Sequence, residues 1–593
     1  MCPDLTLQTL LIDASSTDEL QWVFQGSPAQ APQATDLNDL AVEVDWTNKR
    51  TVWMLYGACH ADTLDEVLSL VTECSKVVVL EANHPDAYHL TAPDRERLRQ
   101  HLLQERLSII VGGSLEQRVN KLLECIDINK MDGWKPLLSQ AQMNLRPEDT
   151  RALFSRLAAG INMKVLNKNT HLVVSLPYLR NALINAPLAN QVARLKDWKQ
   201  SRKDRPVLVV SAGPSLNKQL ALLTEHQDLF TILAVDTVWP ILQKHGIVPD
   251  AILAIDRISR PSWPRNGVSE DTAFCVDLGC APRLVWSNDH NHVFLSCKPD
   301  IYDLLKDLGA QAEVLRTGGS VATSAFQLAE ELGGNPIVFI GQDLALTDGR
   351  DHAEGYLHVY QPERLAKIAD SGFDVAGYYG GQVRTERQLL FYKTWFESRI
   401  KAMPERLIIN ATEGGACIAG AAQLPFATVC QEIRSTSMRK TPLMGFQAER
   451  IDPEYMAKLC EGLNKLKERV CEFGEIARRG REICKRTGSK PSKKQLARID
   501  KINIELRSHE KNSTMVVDVM CMAQLEAIRY KAHIGEGMEK MSDVVKKYDQ
   551  VYANLESGTA VALLTLEKVQ AFYNILIERG EIDPELAQSI FPI

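Results

Sequence analysis

A series of short apolar runs, each followed by polar residues or glycine, restricts the fold of this chain more than any other feature. The runs are rich in Val, Ile, Leu and Ala, and helical patterns such as TSAFQLAEEL separate several of them. Such runs suit parallel strands that are buried on both faces of a sheet. The runs lie at 206–211, 231–236, 251–256, 274–278, 292–297, 312–319 and 336–343. This predicts an α/β fold with a central doubly wound, Rossmann-like sheet.

The polar residues that follow these runs are candidate ligand-binding residues. The carboxyl ends of parallel strands meet at one edge of a sheet, and open α/β sheets bind ligands there. A single Asp after a strand is commonly just a helix N-cap, but here the same placement recurs along the sheet. The residues at these ends are Gly213, Pro214, Ser215, Asp236, Asp256, Thr317, Gly318, Gly319, Ser320, Gln342 and Asp343.

Three glycine-containing loops among these ends are suited to an anion. The loops Gly213–Ser215 and Thr317–Ser320 each precede a helical pattern, so their backbone N–H groups are expected to face a bound anion. A later strand, RLIIN, runs into Glu413, Gly414 and Gly415. This last turn either binds the same ligand or is required by backbone geometry alone.

The N-terminal part, residues 1–180, resembles half of a nucleotide-binding fold in outline. An acidic, irregular arm precedes a strand, turn, helix and strand pattern that starts at Thr51 and ends at Glu81, the position of a ribose-binding acid. Only Gly57 remains of the expected glycine loop, so we interpret this domain as a degenerate Rossmann-like domain. Residues 115–200 are mostly helical in pattern and supply a helical linker.

The C-terminal part, residues 431–593, is predicted to be an all-α bundle that follows the central domain at 181–430. Leu463, Leu466, Val470 and Phe473 recur at helical spacing, as do Met515, Val519, Met522 and Leu525. Residues 465–507 contain 14 basic and six acidic residues. This basic stretch is either a solvated helix face or a docking surface for an acidic partner.

Composition excludes several classes of function. The chain of 593 residues has a formal net charge of −7, which argues against bulk nucleic-acid binding. Its 13 cysteines include no CxxC pair, so neither a zinc site nor a disulfide framework is indicated. No apolar run approaches 18 residues and no signal peptide is visible, so we expect a cytoplasmic protein without a membrane span. The GxxxxGK[ST], HExxH and GxSxG patterns are missing.

Six segments in this order resemble the bacterial motility associated factor family of flagellin glycosyltransferases. They are SAGPSL, AVDT, AIDR, TGGSVATSAF, FIGQDLALTDGRDHAEGY and NATEGGA, and the resemblance covers roughly residues 181–422. It implies transfer of a nonulosonic, sialic-acid-like sugar, such as pseudaminic or legionaminic acid, from a CMP-activated donor. The implied acceptors are Ser or Thr hydroxyls of flagellin, in flagellum assembly and motility.

The central domain of that family is similar to bacterial CMP-sialic-acid-dependent sialyltransferases. This similarity implies that Thr317–Ser320 hold the nucleotide and that Gly341–Asp343 lie near the leaving phosphate. In the sialyltransferase pattern, aromatic residues follow the Asp, and one of them is a Tyr that binds the phosphate. Here Leu344 and Ala345 follow. Tyr356, Tyr378 and Tyr379 are candidates to replace that tyrosine.

The implied reaction needs hydrogen-bond donors and a base. Cleavage at C2 of the sugar releases an anion that helix N-termini and glycine loops can bind, so Mg²⁺ is not expected to be essential and no cofactor is required. The acceptor hydroxyl needs a general base, for which His352 and Asp348 are candidates. Asp343 completes the set of candidate catalytic residues.

Two alternatives remain open. The same core resembles an archaeal pterin pyrophosphokinase family, which would use ATP and Mg²⁺ held by carboxylates such as Asp236, Asp256 and Asp343. The other alternative is a non-catalytic chaperone that binds flagellin. Intact glycine loops and acidic strand ends favour an enzyme, and the long C-terminal helices suit a protein acceptor.

Overall fold

The computed structural model describes most of the chain. The described residues are 10–11, 51–56, 61–71, 75–81, 101, 106–126, 133–138, 147–190, 192, 195–256, 268–286, 293–297, 302, 305–310, 313–315, 318–355, 362–433, 443, 452–487, 492–512 and 541–580. The chain divides into two units. The first consists of Met1–Val173, Arg481–Leu496 and Met522–Tyr552, and the second of Val174–Gly480, Ala497–Cys521 and Ala553–Ile593.

A five-stranded sheet forms the centre of the first unit. Its elements are β1 (Leu10–Leu11), β2 (Thr51–Tyr56), α1 (Ala61–Leu70), β3 (Lys76–Glu81), β4 (Leu107–Val111), α2 (Leu115–Cys125), β5 (Gly133–Leu138) and the start of α3 (Pro147–Asn185). The strand order is β1-β4-β3-β2-β5, and all neighbours are parallel except β1 and β4. The predicted strand, helix and strand are confirmed, and β3 ends at Glu81 as expected. Residues 57–60, which include the degenerate loop, lie outside the described residues.

The strand β5 is among those that were not predicted, because it falls in the stretch read as mostly helical. Its residues GWKPLL contain Pro136, which stands opposite Met54 of β2. Proline donates no hydrogen bond and is therefore tolerated mainly on edge strands. β5 is an edge strand of its sheet, which explains both its sequence and the failure of the prediction.

The second unit is built around a larger sheet. Its elements are α4 (Leu195–Trp198), β6 (Val207–Val210), α5 (Leu220–His226), β7 (Thr231–Val235), α6 (Trp239–Lys244), β8 (Ala251–Ala254), β9 (Ala273–Asp277), α7 (Pro282–Val285), β10 (Val293–Cys297), β11 (Glu313–Val314), α8 (Val321–Glu331), β12 (Ile337–Ile340), α9 (Pro362–Ser371), β13 (Phe373–Ala376), β14 (Gln382–Thr385), α10 (Arg387–Lys401), β15 (Ile408–Asn410), β16 (Ala422–Gln423) and α11 (Phe426–Ile433). β13 and β14 form a separate antiparallel hairpin.

The nine strands of the large sheet are all parallel, in the order β11-β10-β9-β8-β7-β6-β12-β15-β16. Every residue of β6, β7, β8, β9 and β12 is buried, as expected for strands covered on both faces. The chain adds strands outward on one side of β6 and then returns to its other side with β12. This reversal is the topological switch point of a doubly wound sheet, and the predicted fold class is confirmed.

In the described part of residues 434–593, three long helices follow: α12 (Pro453–Lys485), α13 (Lys493–Asn512) and α14 (Met541–Arg579). The predicted stripe of Leu463, Leu466, Val470 and Phe473 is buried, each residue being at most 3% exposed. The second predicted stripe, at 515–525, lies outside the described residues. Within the second unit, Tyr455 donates to the carbonyl of Ala186 at 2.8 Å. The start of α12 therefore packs within the same unit as the large sheet.

Among the described residues, the segment Tyr548–Arg579 of α14 is long and apolar enough to cross a membrane by length and composition alone. Core helices meet the same criterion. Here the Phe572 ring packs edge-on against Trp286 at 5.5 Å, and Tyr573 donates to the carbonyl of Leu183 at 2.6 Å. Contacts of this kind are typical of a core helix.

Candidate functional site

Three loops meet at the carboxyl edge of the switch point, because β12 is paired with β6 on one side and with β15 on the other. Ser211–Ser215 follow β6, Gly341–Asp343 follow β12, and Ala411–Gly415 follow β15. The backbone N–H of Gly213 donates to the carbonyl of Gly341 at 2.8 Å. The structure thus brings together Gly213, Ser215, Gln342, Asp343 and the 413–415 turn, which the sequence placed only at separate strand ends.

Asp343 is the centre of this arrangement. It is 3% exposed and accepts hydrogen bonds from the Ser215 hydroxyl (2.7 Å), the Ser215 backbone N–H (3.2 Å) and the Thr347 hydroxyl (2.5 Å). A β-carbon placed on Gly213 would overlap the Asp343 carboxylate, so glycine is required there for close approach. Pro214 is the first residue of the short 3₁₀ turn Pro214–Lys218 that carries Ser215.

The electrostatics of Asp343 reflect two opposed effects. Burial raises its pKa above the usual value, whereas the hydrogen bonds from Thr347 and Ser215 and the charge of Lys218 lower it, and burial is the largest cause. Gln342 is fixed beside it, since its side-chain oxygen accepts from the Ser211 hydroxyl at 2.7 Å. The Asp343 side chain is thus held in place before any ligand arrives.

The turn after β15 closes over Asp343. Gly415 has φ +65°, and a β-carbon there would overlap the Asp343 backbone, so both its conformation and its surroundings require glycine. Glu413 has φ +54°, an uncommon conformation for a residue with a side chain. Its carboxylate accepts from the Gln219 side chain at 3.2 Å. A β-carbon on Gly414 would lie 2.9 Å from Cβ of Ser215, which locates this turn beside the β6 loop.

The second glycine loop, Gly318–Ser320, opens helix α8. Ser320 is its N-cap in a capping box with Thr323. The N–H groups of Gly318 and Ser320 both donate to the Thr323 hydroxyl, at 2.9 and 3.3 Å. Helix α10 covers the loop, because Tyr392 donates to the carbonyl of Gly319 at 3.2 Å. Thr317 lies outside the described residues.

The acidic residues at the ends of β7 and β8 lie along the same edge. Asp236 is buried, and its carboxylate accepts from the backbone N–H of Thr237 at 2.8 Å. Burial raises the pKa of the Cys280 thiol, and the charges of Asp277, Asp256 and Asp236 add to that effect. Within the described ranges, no three His, Cys, Asp or Glu residues are grouped so as to hold a metal ion.

The loop after β12 carries both candidate bases. Asp348 (φ +51°) and Gly349 (φ +72°) form the two-residue turn between Thr347 and Arg350, so turn geometry alone accounts for an Asp-Gly pair. His352 lies with Nδ1 at 3.2 Å from the Asp351 carboxylate. The next residue, Ala353, donates its N–H to the carbonyl of Ala212 at 2.9 Å. His352 is therefore next to the switch-point loops and is oriented by an acidic residue.

The hairpin formed by β13 and β14 carries two of the three tyrosines that the sequence offered as replacements for a phosphate-binding tyrosine. Its tip contains Tyr378 and Tyr379, and the N–H of Tyr378 donates to the carbonyl of Gly415 at 2.9 Å. Tyr379 is 72% exposed, and the Lys218 ammonium lies 5.9 Å from the centre of its ring. Lys218 was missed because a lone lysine after a strand carries no pattern. Tyr356 lies outside the described residues.

Comparisons with known proteins identify relatives of parts of the chain. Residues 180–349 match the family model of MptE-like 6-hydroxymethylpterin diphosphokinases. An uncharacterized protein of Treponema pallidum (strain Nichols) is 34% identical over 79 residues, which are 13% of this chain and 37% of that protein. A second one from the same organism is 29% identical over 161 residues, 26% of this chain and 27% of that protein. The matched segments thus span well under half of either relative.

One solved structure is similar over nearly the whole chain. It is the Maf glycosyltransferase from Magnetospirillum magneticum AMB-1, with a TM-score of 0.51 and 14% sequence identity. The likeness covers 90% of this chain and 81% of that one. This breadth includes the N-terminal and C-terminal parts, which the pterin-kinase model does not reach. The fold of this chain is therefore similar to that of this Maf glycosyltransferase, as its motifs predicted.

Proposed function

We propose that this chain is a glycosyltransferase that moves a nonulosonic acid from a CMP-activated donor to Ser or Thr hydroxyls of flagellin in the cytoplasm. The observation that carries the proposal is the fold shared with a Maf glycosyltransferase over 90% of the chain. A switch-point edge with a buried, hydrogen-bonded carboxylate and a neighbouring histidine is suited to such a reaction.

In the proposed reaction, the bond between C2 of the sugar and a phosphate oxygen of CMP breaks, and CMP leaves with the electron pair. The acceptor oxygen bonds to C2, and its proton passes to a base. His352 suits this step because the Asp351 carboxylate at 3.2 Å orients its ring and the neighbouring backbone joins it to the β6 loop. Asp348 remains the second candidate base.

The proposed acceptor surface is on the C-terminal helices, which carry the basic stretch. The ion pairs of three arginines in this basic stretch refine that proposal. Arg479 forms an ion pair with Glu505, and Arg481 lies 3.8 Å from Asp549, so both have partners within the helical part. Arg478 pairs with Glu475 at 2.5 Å, and half of its side chain is exposed. All three arginines are paired, and Arg478 is the most exposed of them, so it is the best placed to meet an acidic partner.

A second candidate function, the pterin pyrophosphokinase, is favoured by the family model that matches residues 180–349. Such an enzyme would transfer a pyrophosphoryl group from ATP with Mg²⁺ held by carboxylates. Asp343 already accepts three hydrogen bonds from protein groups, so it has less capacity left for a metal ion. This candidate accounts for less than a third of the chain.

The test is the intact mass of flagellin co-expressed with this chain in a strain that makes the activated sugar. A mass increase of one or more nonulosonic acid units, missing without the chain, supports the transferase. His352→Asn is the loss-of-function variant, and Lys203→Gln, an exposed lysine before β6, is the matched control. Unmodified flagellin that still binds the chain would favour a chaperone.

A second assay separates the two enzymes. The purified chain is incubated with ATP and 6-hydroxymethylpterin, or with flagellin and the CMP-sugar, with and without EDTA. Release of AMP in the first mixture, abolished by EDTA and restored by Mg²⁺, would favour the pyrophosphokinase. Release of CMP in the second mixture, unchanged by EDTA, is the result that the glycosyltransferase predicts.

A further inference from the structure

The first unit has a glycine loop of its own, between β4 and α2. It contains Gly112 (φ +66°) and Gly113 (φ +84°), and glycine adopts such conformations without steric cost. Ser114 then opens α2 as its N-cap, in a capping box with Gln117. Because β4 is parallel to β3, this loop lies at the carboxyl edge of its sheet, where open α/β sheets bind ligands.

Two backbone N–H groups at the start of α2 remain free. The N–H of Ser114 donates to the Gln117 side chain at 2.8 Å, and that of Gln117 donates to the Ser114 hydroxyl at 3.2 Å. The N–H groups of Leu115 and Glu116 lie in the first turn, where a helix offers no acceptor, and none is found for them in the described part of the chain. Such a helix start alone is common and does not indicate a ligand.

Arg118 distinguishes this helix start from an ordinary one. The residue is only 6% exposed, and its Nε and Nη1 atoms are buried without a hydrogen-bond partner. No carboxylate of the described residues pairs with it. Arginines are almost never buried unless they are paired, because an uncompensated charge inside a protein is strongly destabilising. An unpaired, buried guanidinium therefore indicates that the protein binds an anion at this place.

The position of Arg118 in α2 directs its side chain toward the free N–H groups. The N–H of Arg118 donates to the carbonyl of Ser114 at 2.9 Å, so the two residues are one helical turn apart on the same face. Long side chains on a helix point toward its N-terminus and cover the preceding turn. Val119 and Leu122 of the same helix are buried in the core of the first unit, which fixes α2 against the sheet.

The turn that begins at Ser114 is accessible from the surface. Ser114 is exposed, and Gly113 and Leu115 on either side of it are partly exposed. Nη2 of Arg118 is not among the enclosed nitrogen atoms, so the guanidinium is open to solvent at one end. An anion that arrives from solvent can therefore meet both the free N–H groups and the guanidinium.

We propose that the start of α2 binds a phosphate group through the N–H groups of Leu115 and Glu116 and the guanidinium of Arg118. The forked N–H groups of arginine match the oxygens of a phosphate, and the helix dipole adds to the attraction. Together these donors serve more than two oxygens, which suits a phosphate better than a carboxylate. The phosphate is either free or part of a nucleotide. This site lies in the first unit and does not depend on the function proposed above.

The test is hydrogen–deuterium exchange of the full-length chain, measured in peptides that cover residues 107–125. Inorganic phosphate, AMP and adenosine are each compared with chloride at equal ionic strength. Because exchange is measured peptide by peptide, phosphate that binds at the large sheet does not affect the result.

Two variants remove one proposed donor each. Arg118→Met removes the charge and keeps a long, unbranched side chain. Leu115→Pro removes a single N–H group, and the extended backbone of Ser114 (φ −66°, ψ 161°) is compatible with a following proline at the first helical position. Arg156→Met is the control, because Arg156 is exposed on α3 in the same unit. Circular dichroism checks that each variant folds.

We expect phosphate to slow exchange at 107–125 about threefold or more in the wild type and in Arg156→Met, since a ligand that binds only the folded state suppresses local opening. The effect should be lost in Arg118→Met and reduced in Leu115→Pro. In chloride, Arg118→Met should unfold at a urea concentration no lower than the wild type does, because it removes an unpaired buried charge. Protection by AMP at lower concentrations than by phosphate identifies a nucleotide, and equal protection identifies free phosphate.

Three results would overturn the inference. The first is exchange at 107–125 of the wild type that is the same in phosphate, AMP and chloride. The second is equal protection by adenosine and AMP, which would exclude the phosphate as the bound group. The third is phosphate protection in Arg118→Met as strong as in the wild type. If Arg118→Met does not fold, Leu115→Pro decides in its place, and full protection in that variant overturns the inference. None of these results affects the glycosyltransferase proposal, which is tested with flagellin and the CMP-sugar.

Discussion

The hydroxyl of Ser215 donates a 2.7 Å hydrogen bond to the carboxylate of Asp343, although the two residues are 128 positions apart in the chain. This pair joins the loops that follow β6 and β12, where the order of strands reverses. Ser215 is fully buried and Asp343 nearly so. The hydrogen bond therefore lies in a region of low dielectric, where a charged carboxylate is stabilised mainly by the groups that donate hydrogen bonds to it.

Replacing Asp343 by Asn should change how stability depends on pH. The raised pKa of Asp343 means that its proton is bound more tightly in the folded chain. Its contribution to stability is therefore fully present below the pKa of an unfolded Asp, about 3.9, and is lost as the pH rises through the raised pKa. An Asn at this position does not titrate, so Asp343→Asn does not lose this stability as the pH rises. Urea unfolding midpoints from about pH 4.5 to 8 should show the variant gaining on the wild type as pH rises, then levelling off.

Ser215→Ala supplies the matched test of the same argument. Removing a donor to the charged carboxylate raises the pKa of Asp343 further, so the pH window of the loss extends to higher pH while its lower end stays in place. The double variant Ser215→Ala, Asp343→Asn should show no such window. A stability difference between Asp343→Asn and wild type that is the same at every pH would contradict the assignment.

Gly213→Ala should destabilise the second unit and abolish CMP binding. The added methyl group would overlap the Asp343 carboxylate and the Gly341 carbonyl, which cannot both give way. We expect a loss of about 1–3 kcal/mol in the free energy of unfolding, typical of overpacking. Gly246→Ala is the control, since its β-carbon would meet no atom within 4 Å and only its φ of +66° opposes it. A cost no larger than that of the control would argue against the close approach.

Gly319→Leu should abolish CMP binding without unfolding the chain. Gly319 has φ +93°, and a β-carbon there would meet only the Tyr392 ring at 3.6 Å, so the side chain is strained but has room. Gly246→Leu carries a comparable backbone strain at the other edge of the sheet. Measuring the CMP affinity of both variants by calorimetry separates damage to the loop at Gly319 from the effect of backbone strain alone. Unchanged CMP affinity in Gly319→Leu would remove this loop from the donor site.

His352→Asn should lower the rate of sugar transfer about 10²- to 10⁴-fold while leaving CMP affinity unchanged, as expected for loss of a general base. Asp348→Asn removes the other candidate carboxylate and keeps the turn, because Asn also tolerates a positive φ. Single-turnover assays compare the two variants. Full activity in His352→Asn together with loss in Asp348→Asn would transfer the role of base to Asp348.

Arg478→Gln and Arg486→Gln should weaken flagellin binding at low salt and have little effect at high salt. Both side chains are at least half exposed, and exposed charges are screened over about 8–10 Å at physiological ionic strength. Their ion pairs with Glu475 and Glu482 are on the surface and add little stability, so the fold should persist. Pull-down at several salt concentrations, with Lys203→Gln as control, provides the measurement. Equal binding by all variants would locate the acceptor surface elsewhere.

The strands and their polar ends were predictable because both are local patterns. An apolar run followed by Gly-Pro-Ser or Gln-Asp can be read from a few neighbouring residues, and the sheet has buried strands where these runs lie. The run GWKPLL was missed because Pro136 argues against a strand unless the strand is at an edge, and edge position depends on the whole sheet.

The contacts within the candidate site were not predictable, since each joins residues far apart in sequence. No local pattern indicates that Ser215 bonds to Asp343, that Lys218 reaches Glu413, or that Tyr392 covers Gly319. The capping role of Ser320 could be read from its spacing to Thr323. The sequence did not show that the N–H groups of Gly318 and Ser320 also donate to the Thr323 hydroxyl.

The pairing of β6 with β12 also has a consequence for how the chain is made. Val207 of β6 pairs with Ile337 of β12, although the two residues are about 130 positions apart. The turn that closes over Asp343 comes still later, at Gly415. A growing chain that has released only β6 to β11 from the ribosome lacks every contact of the switch point. Such long-range parallel pairing is slow, and unpaired strand edges are prone to aggregation while it is incomplete. Nucleotide binding should therefore begin only after residue 415 has emerged, and fragments that stop earlier should be inactive and poorly soluble.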